Sequence, residues 1–227
     1  IRLGLFLYDN LGGKSKIPKS SKVNLNEKYF NILQSKFSVG FKYYDVQVDD
    51  KKLVEMNIDD AKKLGATIIE NTEVNSAKRV TEGWEITLDN EEIIKSKILI
   101  NAAGPWINEI VNDVIKINTN KKIRLVRGSH IVTKKLYEEE VAFTLQNEDN
   151  RIVFVIPYKK QFSLIGTTEV DVKTADNPSI SDEEKIYLIN IINNHFVKQI
   201  SNQDIVDTYS GIRPLIEDFK EASKVTR

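Results

Sequence analysis

Two short segments hold the residues of this chain that are best suited to catalysis or to anion binding. Arg127-Gly128-Ser129-His130 places a histidine near a glycine that leaves room for another group, and a histidine can accept or donate a proton near neutral pH. Tyr209-Ser210-Gly211-Ile212-Arg213-Pro214-Leu215 holds Arg213 between a glycine and a proline, and a rigidly held guanidinium suits a phosphate or a carboxylate. Each residue also fits a structural role, His130 as a partly buried histidine and Arg213 in an ion pair.

A third segment could bring the backbone close to a ligand. The apolar run Lys97–Ile100 ends in Asn101-Ala102-Ala103-Gly104-Pro105-Trp106, where small residues precede a proline suited to a first helical turn. Without large side chains, such a turn allows a flat or phosphorylated group to approach the backbone, although small residues can also serve packing alone. Gly166-Thr167-Thr168 leaves the same two interpretations open: a ligand contact or an ordinary strand end.

The composition narrows the classes of function. The chain has 227 residues, of which 41% are hydrophobic and 29% charged, and its 33 basic residues balance its 33 acidic ones. A nucleic-acid-binding protein usually has an excess of basic residues, so this balance of charges argues against a nucleic-acid partner. There is no cysteine, and His130 and His195 are the only histidines, so we expect no disulfide and no metal site. No GxGxxG, phosphate-loop or nucleophile-elbow motif occurs.

The first half of the chain has the pattern of an α/β domain. Asp49 and Asp50 can begin a helix that Gly65 ends. The predicted strands that follow are Thr67–Glu70, Val74–Val80, Trp84–Leu88, Glu92–Ile94 and Lys97–Ile100, before a helix over Trp106–Ile115.

The second half has the pattern of an antiparallel sheet with one helix. Ser181 and Glu184 form a capping box, and the helix after it should turn Ile186, Ile189, Ile192 and Phe196 inward. The predicted strands are Ile123–Val132, Val141–Leu145, Arg151–Pro157, Phe162–Gly166 and Ile205–Ser210. The expected fold class is therefore α+β or α/β, with an α/β lobe interleaved with an antiparallel one.

Five segments, in order, give the chain a family resemblance. They are Asn101-Ala-Ala-Gly-Pro-Trp106, Arg127-Gly-Ser-His-Ile-Val132, Leu145-Gln-Asn-Glu-Asp-Asn-Arg-Ile-Val-Phe-Val-Ile-Pro157, Ile165-Gly-Thr-Thr-Glu-Val170 and Tyr209-Ser-Gly-Ile-Arg-Pro-Leu215. Together they closely resemble the FAD-dependent glycerol-3-phosphate dehydrogenases, which are aerobic, respiratory flavoproteins of the D-amino-acid-oxidase type. The opening Ile1-Arg-Leu-Gly-Leu-Phe-Leu-Tyr-Asp-Asn-Leu-Gly12 and the helix start Val48-Asp49-Asp50 are similar to the same family.

The resemblance implies an activity and a domain organisation. The reaction would oxidise sn-glycerol 3-phosphate to dihydroxyacetone phosphate, with hydride transfer to FAD and electrons passed to membrane quinone, or to oxygen in the oxidase branch. The enzyme would be cytoplasmic, with peripheral attachment to the inner face of the membrane. Residues 1–45 would be a substrate or cap segment, 46–116 part of the FAD-binding domain, 117–210 the antiparallel-sheet substrate domain, and 211–227 a return toward the FAD domain.

The resemblance also assigns roles to individual residues. His130 would be the base or a ligand of the substrate hydroxyl, and Arg213 and Arg227 would hold the anionic substrate. The residues expected along the cofactor are Val74, Ala102, Ala103, Gly104, Trp106 and Gly211.

The missing GxGxxG fingerprint predicts an incomplete FAD site. In the resembled family this motif binds the FAD pyrophosphate, and it would precede residue 1. We therefore expect an internal fragment that, alone, is inactive and binds FAD weakly or not at all. Two alternatives stay open: a flavin oxidase of the same fold that acts on an amine or amino acid, and a catalytically inert α+β binding module.

Overall fold

The computed structural model describes residues 2–11, 17–27, 30–119 and 123–216, and the chain divides into two units, residues 1–72 and 73–227. The first unit contains helix α1 (Arg2–Leu11), the hairpin of strands β1 (Ser21–Asn24) and β2 (Val39–Lys42), and helix α2 (Asp50–Lys63). The predicted ends of α2 are confirmed. The Asp49 carboxylate accepts a hydrogen bond from the Lys52 amide at 3.0 Å, and Gly65 follows the helix with a φ of +94°.

The second unit begins with a small antiparallel sheet and a helical segment packed on it. The sheet has the order β3-β4-β5, formed by Val74–Val80, Gly83–Leu88 and Ile93–Ser96. Three short helical segments follow: a 3-10 turn (Gly104–Trp106), helix α3 (Ile107–Glu109) and a π-helical turn (Ile110–Ile115). Together they cover the region where the sequence predicted one helix, Trp106–Ile115. Ala77, Ile86 and Leu88 form the core between the sheet and this segment.

Two predicted strands are wrong. Among the described residues, Thr67–Glu70 and Lys97–Ile100 form no strand and pair with none. Their apolar residues suggested strands, but a strand is stabilised by hydrogen bonds to a neighbouring strand, and the described part of the chain offers neither segment such a neighbour. Ile98 and Ile100 are 74% and 81% exposed, and the Ile98 amide donates to the nearby Ser96 Oγ instead.

The larger sheet is built around one twelve-residue strand, β6 (Ile123–Lys134). One edge of β6 pairs with β10 (Val170–Val172) near its start and with β9 (Phe162–Gly166) toward its end, while the other edge pairs with β11 (Ile205–Ile216). Strands β8 (Ile152–Tyr158) and β7 (Phe143–Gln146) extend the sheet beyond β9. All these pairings are antiparallel, as the sequence predicted.

Strand β11 runs six residues beyond its predicted end at Ser210. The added residues include Gly211 and Pro214, two residue types that weaken a strand or interrupt its hydrogen bonding. In the described structure β11 pairs with β6 alone, and a proline is tolerated on such an edge strand. The pairing continues through Pro214 opposite Leu125, and it is this pairing that fixes the backbone of Arg213.

Helix α4 (Asp182–His195) begins with the predicted capping box, since Ser181 and Glu184 each bond to the other's backbone amide. Its predicted inward face is partly wrong. Ile186 is 57% exposed, whereas the buried residues of the helix are Glu184, Leu188, Ile191 and Ile192, followed by Phe196. The isoleucine spacing suggested a face through Ile186, but the buried Glu184 shows that the inward face follows positions 184, 188, 191 and 192. Among the described residues, no helix is long and apolar enough to span a membrane.

Candidate functional site

His130 and Arg213 lie on the same face of the β6–β11 pair. In the register of the two strands, His130 is opposite Tyr209, Gly128 is opposite Gly211, and Val126 is opposite Arg213. Because side chains alternate between the faces of a sheet, these six residues share one face. The strand pairing thus unites the two segments that the sequence singled out.

Two glycines let these side chains lie flat on the sheet. A Cβ atom added at Gly128 would come within 2.6 Å of Nη2 and 2.7 Å of Cζ of Arg213, so the guanidinium occupies the space above this glycine. The expectation that Gly128 leaves room for another group is confirmed, and that group is Arg213. The His130 ring in turn covers Gly166 of β9, where an added Cβ would overlap the ring.

The His130 ring is held between β11 and β9 in a setting that disfavours its charged form. Its plane stacks on that of Tyr209, with 4.6 Å between the ring centroids and 8° between the planes. Burial, and then the positive charge of Arg213, lower the pKa of His130 from the ordinary 6.5 to about 4. The imidazole is therefore neutral at pH 7. Its Nδ1 atom is buried and has no hydrogen-bond partner among the described residues.

The guanidinium of Arg213 is oriented by a threonine. Its Nη2 donates to Oγ1 of Thr167 at 3.1 Å, in the segment that links β9 to β10. The next residue, Thr168, is buried and turns to the other side: its hydroxyl accepts from the Ser129 amide at 2.9 Å. Of the two threonines whose role the sequence left open, Thr167 therefore contacts the candidate site and Thr168 does not.

A buried carboxylate lies behind these strands. Glu184, only 4% exposed, accepts hydrogen bonds through Oε1 from the hydroxyls of Ser129 (2.8 Å) and Thr168 (2.5 Å). Its Oε2 accepts from Arg127 Nη2 at 2.6 Å and from the Ser181 amide at 2.8 Å. Burial opposes ionisation of this carboxyl, but the bonds from Thr168, Ser181, Ser129 and Arg127 outweigh it and lower the pKa of Glu184. We call these five residues the Glu184 cluster.

The turn from Asn101 to Trp106 lies beside β11, with open space above two glycines. The 3-10 turn contacts β11, and Trp106 Nε1 donates to the Asp176 carboxylate at 3.0 Å. Gly104 has a φ of +54°, a conformation that favours glycine, and a Cβ added at Gly104 or at Gly211 would meet no described atom within 4 Å. A flat group could therefore approach the backbone at both positions.

The remaining predicted site residues lie apart from this face or outside the described residues. Val74 begins β3 and packs its side chain against the core of the small sheet. Ala102 is exposed and Ala103 half-buried in the turn before Gly104. Arg227 lies outside the described residues. Cofactor and substrate roles for all these residues, and for His130 and Arg213, stay predictions.

Two residues around this face, Tyr209 and Glu184, were not predicted as part of a site, whereas a ligand contact at Thr167 was one of two interpretations left open. Tyr209 begins the segment Tyr209–Leu215, and the two-residue period of a strand places it on the same face as Gly211 and Arg213. The contact of Thr167 with Arg213 depends on the β9–β10 link lying beside β6, which no local pattern indicates. Glu184 was assigned to a helix cap, and nothing in the local pattern indicates its bonds to the sheet. In the described part of the chain, no group of three His, Cys, Asp or Glu side chains could hold a metal ion.

Comparison with known proteins gives these features a family context. Residues 13–223 match the family described as FAD dependent oxidoreductase. A glycerol-3-phosphate dehydrogenase of Pseudomonas aeruginosa is 40% identical over 233 residues, which cover 100% of this chain and 45% of that protein. A D-erythritol 1-phosphate dehydrogenase of Brucella abortus is 36% identical over 235 residues, which cover 100% of this chain and 47% of that protein.

A solved structure shares the fold. The glycerol-3-phosphate dehydrogenase from Bacillus halodurans complexed with FAD superimposes with a TM-score of 0.71 at 19% identity, over 88% of this chain and 45% of that one. This likeness confirms the predicted fold class. The chain spans less than half the length of the two curated relatives described above, which agrees with the expectation that it corresponds to part of a longer protein.

Proposed function

This chain belongs to the FAD dependent oxidoreductase family, and we propose that within the whole protein it forms the substrate side of an enzyme that oxidises sn-glycerol 3-phosphate to dihydroxyacetone phosphate. The observation that carries the proposal is the pairing of a neutral imidazole with a fixed guanidinium on one sheet face, His130 beside Arg213. Oxidation of an alcohol next to a phosphate calls for a proton acceptor and a cationic donor, and these two groups can supply them. The name of the Pseudomonas aeruginosa relative supports the choice of substrate.

The residues on this face fit a flavin. Gly104 and Gly211 leave their backbone open to a flat ring system, on the side where the 101–106 turn lies beside β11. We assign contacts with the cofactor to this turn through Ala102, Ala103, Gly104 and Trp106, and also to Gly211 and the backbone of Val74. The chemistry that a bound flavin would supply here is acceptance of the hydride from C2 of the substrate.

Arg213 would hold the anionic part of the substrate and orient it. Its guanidinium is fixed between Gly128 and Thr167, so a phosphate or developing alkoxide meets a donor that needs no reorganisation. Arg227 is proposed as a second cationic group for the same anion.

His130 would take the proton of the C2 hydroxyl as the carbonyl forms. The neutral ring is available for this at pH 7 because its pKa is about 4. A group with so low a pKa is a weak base, but a bound phosphate dianion would offset the charge of Arg213 and raise the proton affinity of the ring. Substrate binding would thus prepare the base as well as orient the alcohol.

A second substrate has its own support, because the Brucella abortus relative is named for D-erythritol 1-phosphate. This substrate is also a phosphorylated alcohol, and the same two residues would serve it. The ratio of kcat/KM for the two phosphates decides between them. An amine or amino-acid substrate needs no phosphate-binding arginine, so competitive inhibition by inorganic phosphate would argue against that class.

The electron acceptor and the cellular location of the enzyme are also matters of proposal. We propose quinone as the electron acceptor, with oxygen as the alternative, and a cytoplasmic enzyme attached to the inner face of the membrane. The 227 residues contain no GxGxxG motif, so we expect them alone to be inactive and to retain little FAD. A stoichiometric flavin absorbance band that co-purifies with this chain would contradict this expectation.

The decisive experiment replaces Arg213 by lysine in the whole protein that contains this chain. Lysine keeps the charge but loses the fork of donors, and we expect kcat/KM for sn-glycerol 3-phosphate to fall about 100-fold, mainly through KM. The matched control is Arg151→Lys, because Arg151 pairs with Asp149 and stacks on Tyr187 away from the site face. An unchanged kcat/KM in the Arg213 variant would remove this residue from the proposal.

A further inference from the structure

The Glu184 cluster joins three parts of the second unit that are far apart in sequence. Oε2 of Glu184 completes the cap of α4 through the Ser181 amide, which is local. Oε1 reaches outside the helix, to Ser129 on β6 and to Thr168 in the β9–β10 link. The Ser129 hydroxyl also accepts from the Ser210 hydroxyl at 2.8 Å, which brings β11 into the same chain of bonds.

Each of these partners is a neighbour in sequence of a residue on the site face. Ser129 stands between Gly128 and His130, and Ser210 stands between Tyr209 and Gly211. Because strand residues alternate between faces, the two serines point behind the sheet while their neighbours point into the site. Thr168 is bonded to Glu184 while the adjacent Thr167 receives the guanidinium of Arg213.

A helix cap alone does not need this arrangement. A capping glutamate commonly stays in solvent, whereas Glu184 is 4% exposed and exchanges its hydration for four protein donors. A buried carboxylate gains little net stability over an apolar residue of the same size. The buried carboxylate instead fixes the positions of its four donors, because each of them must stay within hydrogen-bond distance to stabilise the negative charge.

We propose that Glu184 is a positioning residue for the His130–Arg213 pair. Through Thr168 it holds the β9–β10 link so that the Thr167 hydroxyl meets Arg213, and through Ser129 it fixes the stretch of β6 that carries Gly128 and His130. It does not contact the substrate. The positioning stands on geometry alone, and only its effect on catalysis rests on the proposed function.

The test uses the pKa of His130 to report on the position of the Arg213 guanidinium. Thr168→Val keeps the shape of the side chain and removes its bonds to Glu184 and to the Ser129 amide. Freed from Thr167, the guanidinium should move away, and the pKa of His130 in this chain, followed by NMR, should rise by about half a pH unit, a threefold gain in proton affinity. Glu184→Gln should act in the same direction, and Thr168→Ser, which keeps the hydroxyl, should restore the original value.

The matched control is Ser181→Ala. It removes the side-chain cap of α4 but leaves the Ser181 amide and the bonds of Glu184 to the sheet. We expect it to weaken the helix without moving the pKa of His130. An unmoved pKa in both the Thr168→Val and Glu184→Gln variants, or an equal rise in Ser181→Ala, would overturn the proposal.

A second readout separates this inference from the proposed function. In the whole protein, Thr168→Val should raise KM for sn-glycerol 3-phosphate about tenfold, the effect of one weakened hydrogen bond to a charged group, with Ser181→Ala unchanged. A raised pKa without any change in KM would support the positioning role and contradict the substrate assignment. An unchanged pKa with a raised KM would contradict the positioning role.

Discussion

Replacement of Arg213 by glutamine should raise the pKa of His130 by a limited amount that can be bounded from the structure. Burial is the larger cause of the fall from 6.5 to about 4, and the charge of Arg213 is the smaller. The full difference disfavours protonation by about 3 kcal/mol, at 1.36 kcal/mol for each pH unit. Since the Arg213 charge accounts for less than half of it, the variant should titrate at a pH above 4 and no higher than about 5.2.

The chain suits an NMR titration because it contains only two histidines, His130 and His195. The His130→Gln variant identifies the two signals, and His195 serves as the internal reference. Arg151→Gln is the matched control, since it removes a charge that pairs with Asp149 on the surface. A His130 signal that titrates near 6.5 in the folded chain, or one that Arg213→Gln leaves in place, would refute the reasoning.

The same property should appear in the folding stability. The unfolded state binds a proton at this histidine below pH 6.5, while the folded state does so only below about 4. Between these values the unfolded state holds more protons, so the free energy of unfolding falls as the pH falls, by about 2 kcal/mol from pH 6.5 to 5. Urea denaturation should show this loss in the natural chain and not in His130→Gln. Glu184, whose pKa lies below its ordinary value, loses its contribution only at lower pH.

Two further outcomes follow from the packing. Gly128→Ala would place a Cβ within 2.6 Å of the Arg213 guanidinium, which can move aside because it is the end of a flexible side chain. The temperature of thermal unfolding should therefore change little, while the pKa of His130 should rise. A large loss of stability with an unmoved pKa would contradict this. Leu188→Ala, at a fully buried position of α4, should lower the free energy of unfolding by about 2–5 kcal/mol, and Ile186→Ala, at a 57% exposed one, by under about 0.5 kcal/mol. Equal losses of stability in the two variants would instead support the inward face through Ile186 that the sequence predicted.

The parts of the fold that depend on local pattern could be predicted from the sequence. The antiparallel strands of the larger sheet and the α4 capping box involve residues that are close in the chain or alternate regularly. Thr67–Glu70 and Lys97–Ile100 failed because a strand also needs a partner, and the composition of a segment does not reveal whether one exists.

The candidate site was predictable as a set of residues but not as an arrangement. Gly128 and Arg213 each stood out by type, yet their contact depends on a register between positions 85 residues apart, which no local rule supplies. Glu184 was hidden for a different reason: its cap to Ser181 explains it fully at the local level. A residue with one visible role gives no signal of a second.

The place of β11 along the chain has a consequence for biosynthesis. β6 is complete at residue 134, but the strand that covers its other edge begins at residue 205. While the ribosome makes the seventy residues between them, β6 keeps an unpaired edge that includes apolar residues such as Ile131 and Val132, and such edges invite association with other chains. The addition of β11 protects that edge and, in the same pairing, brings Arg213 to His130. The pairing of β11 with β6 therefore completes the sheet and assembles the candidate site in the same folding step.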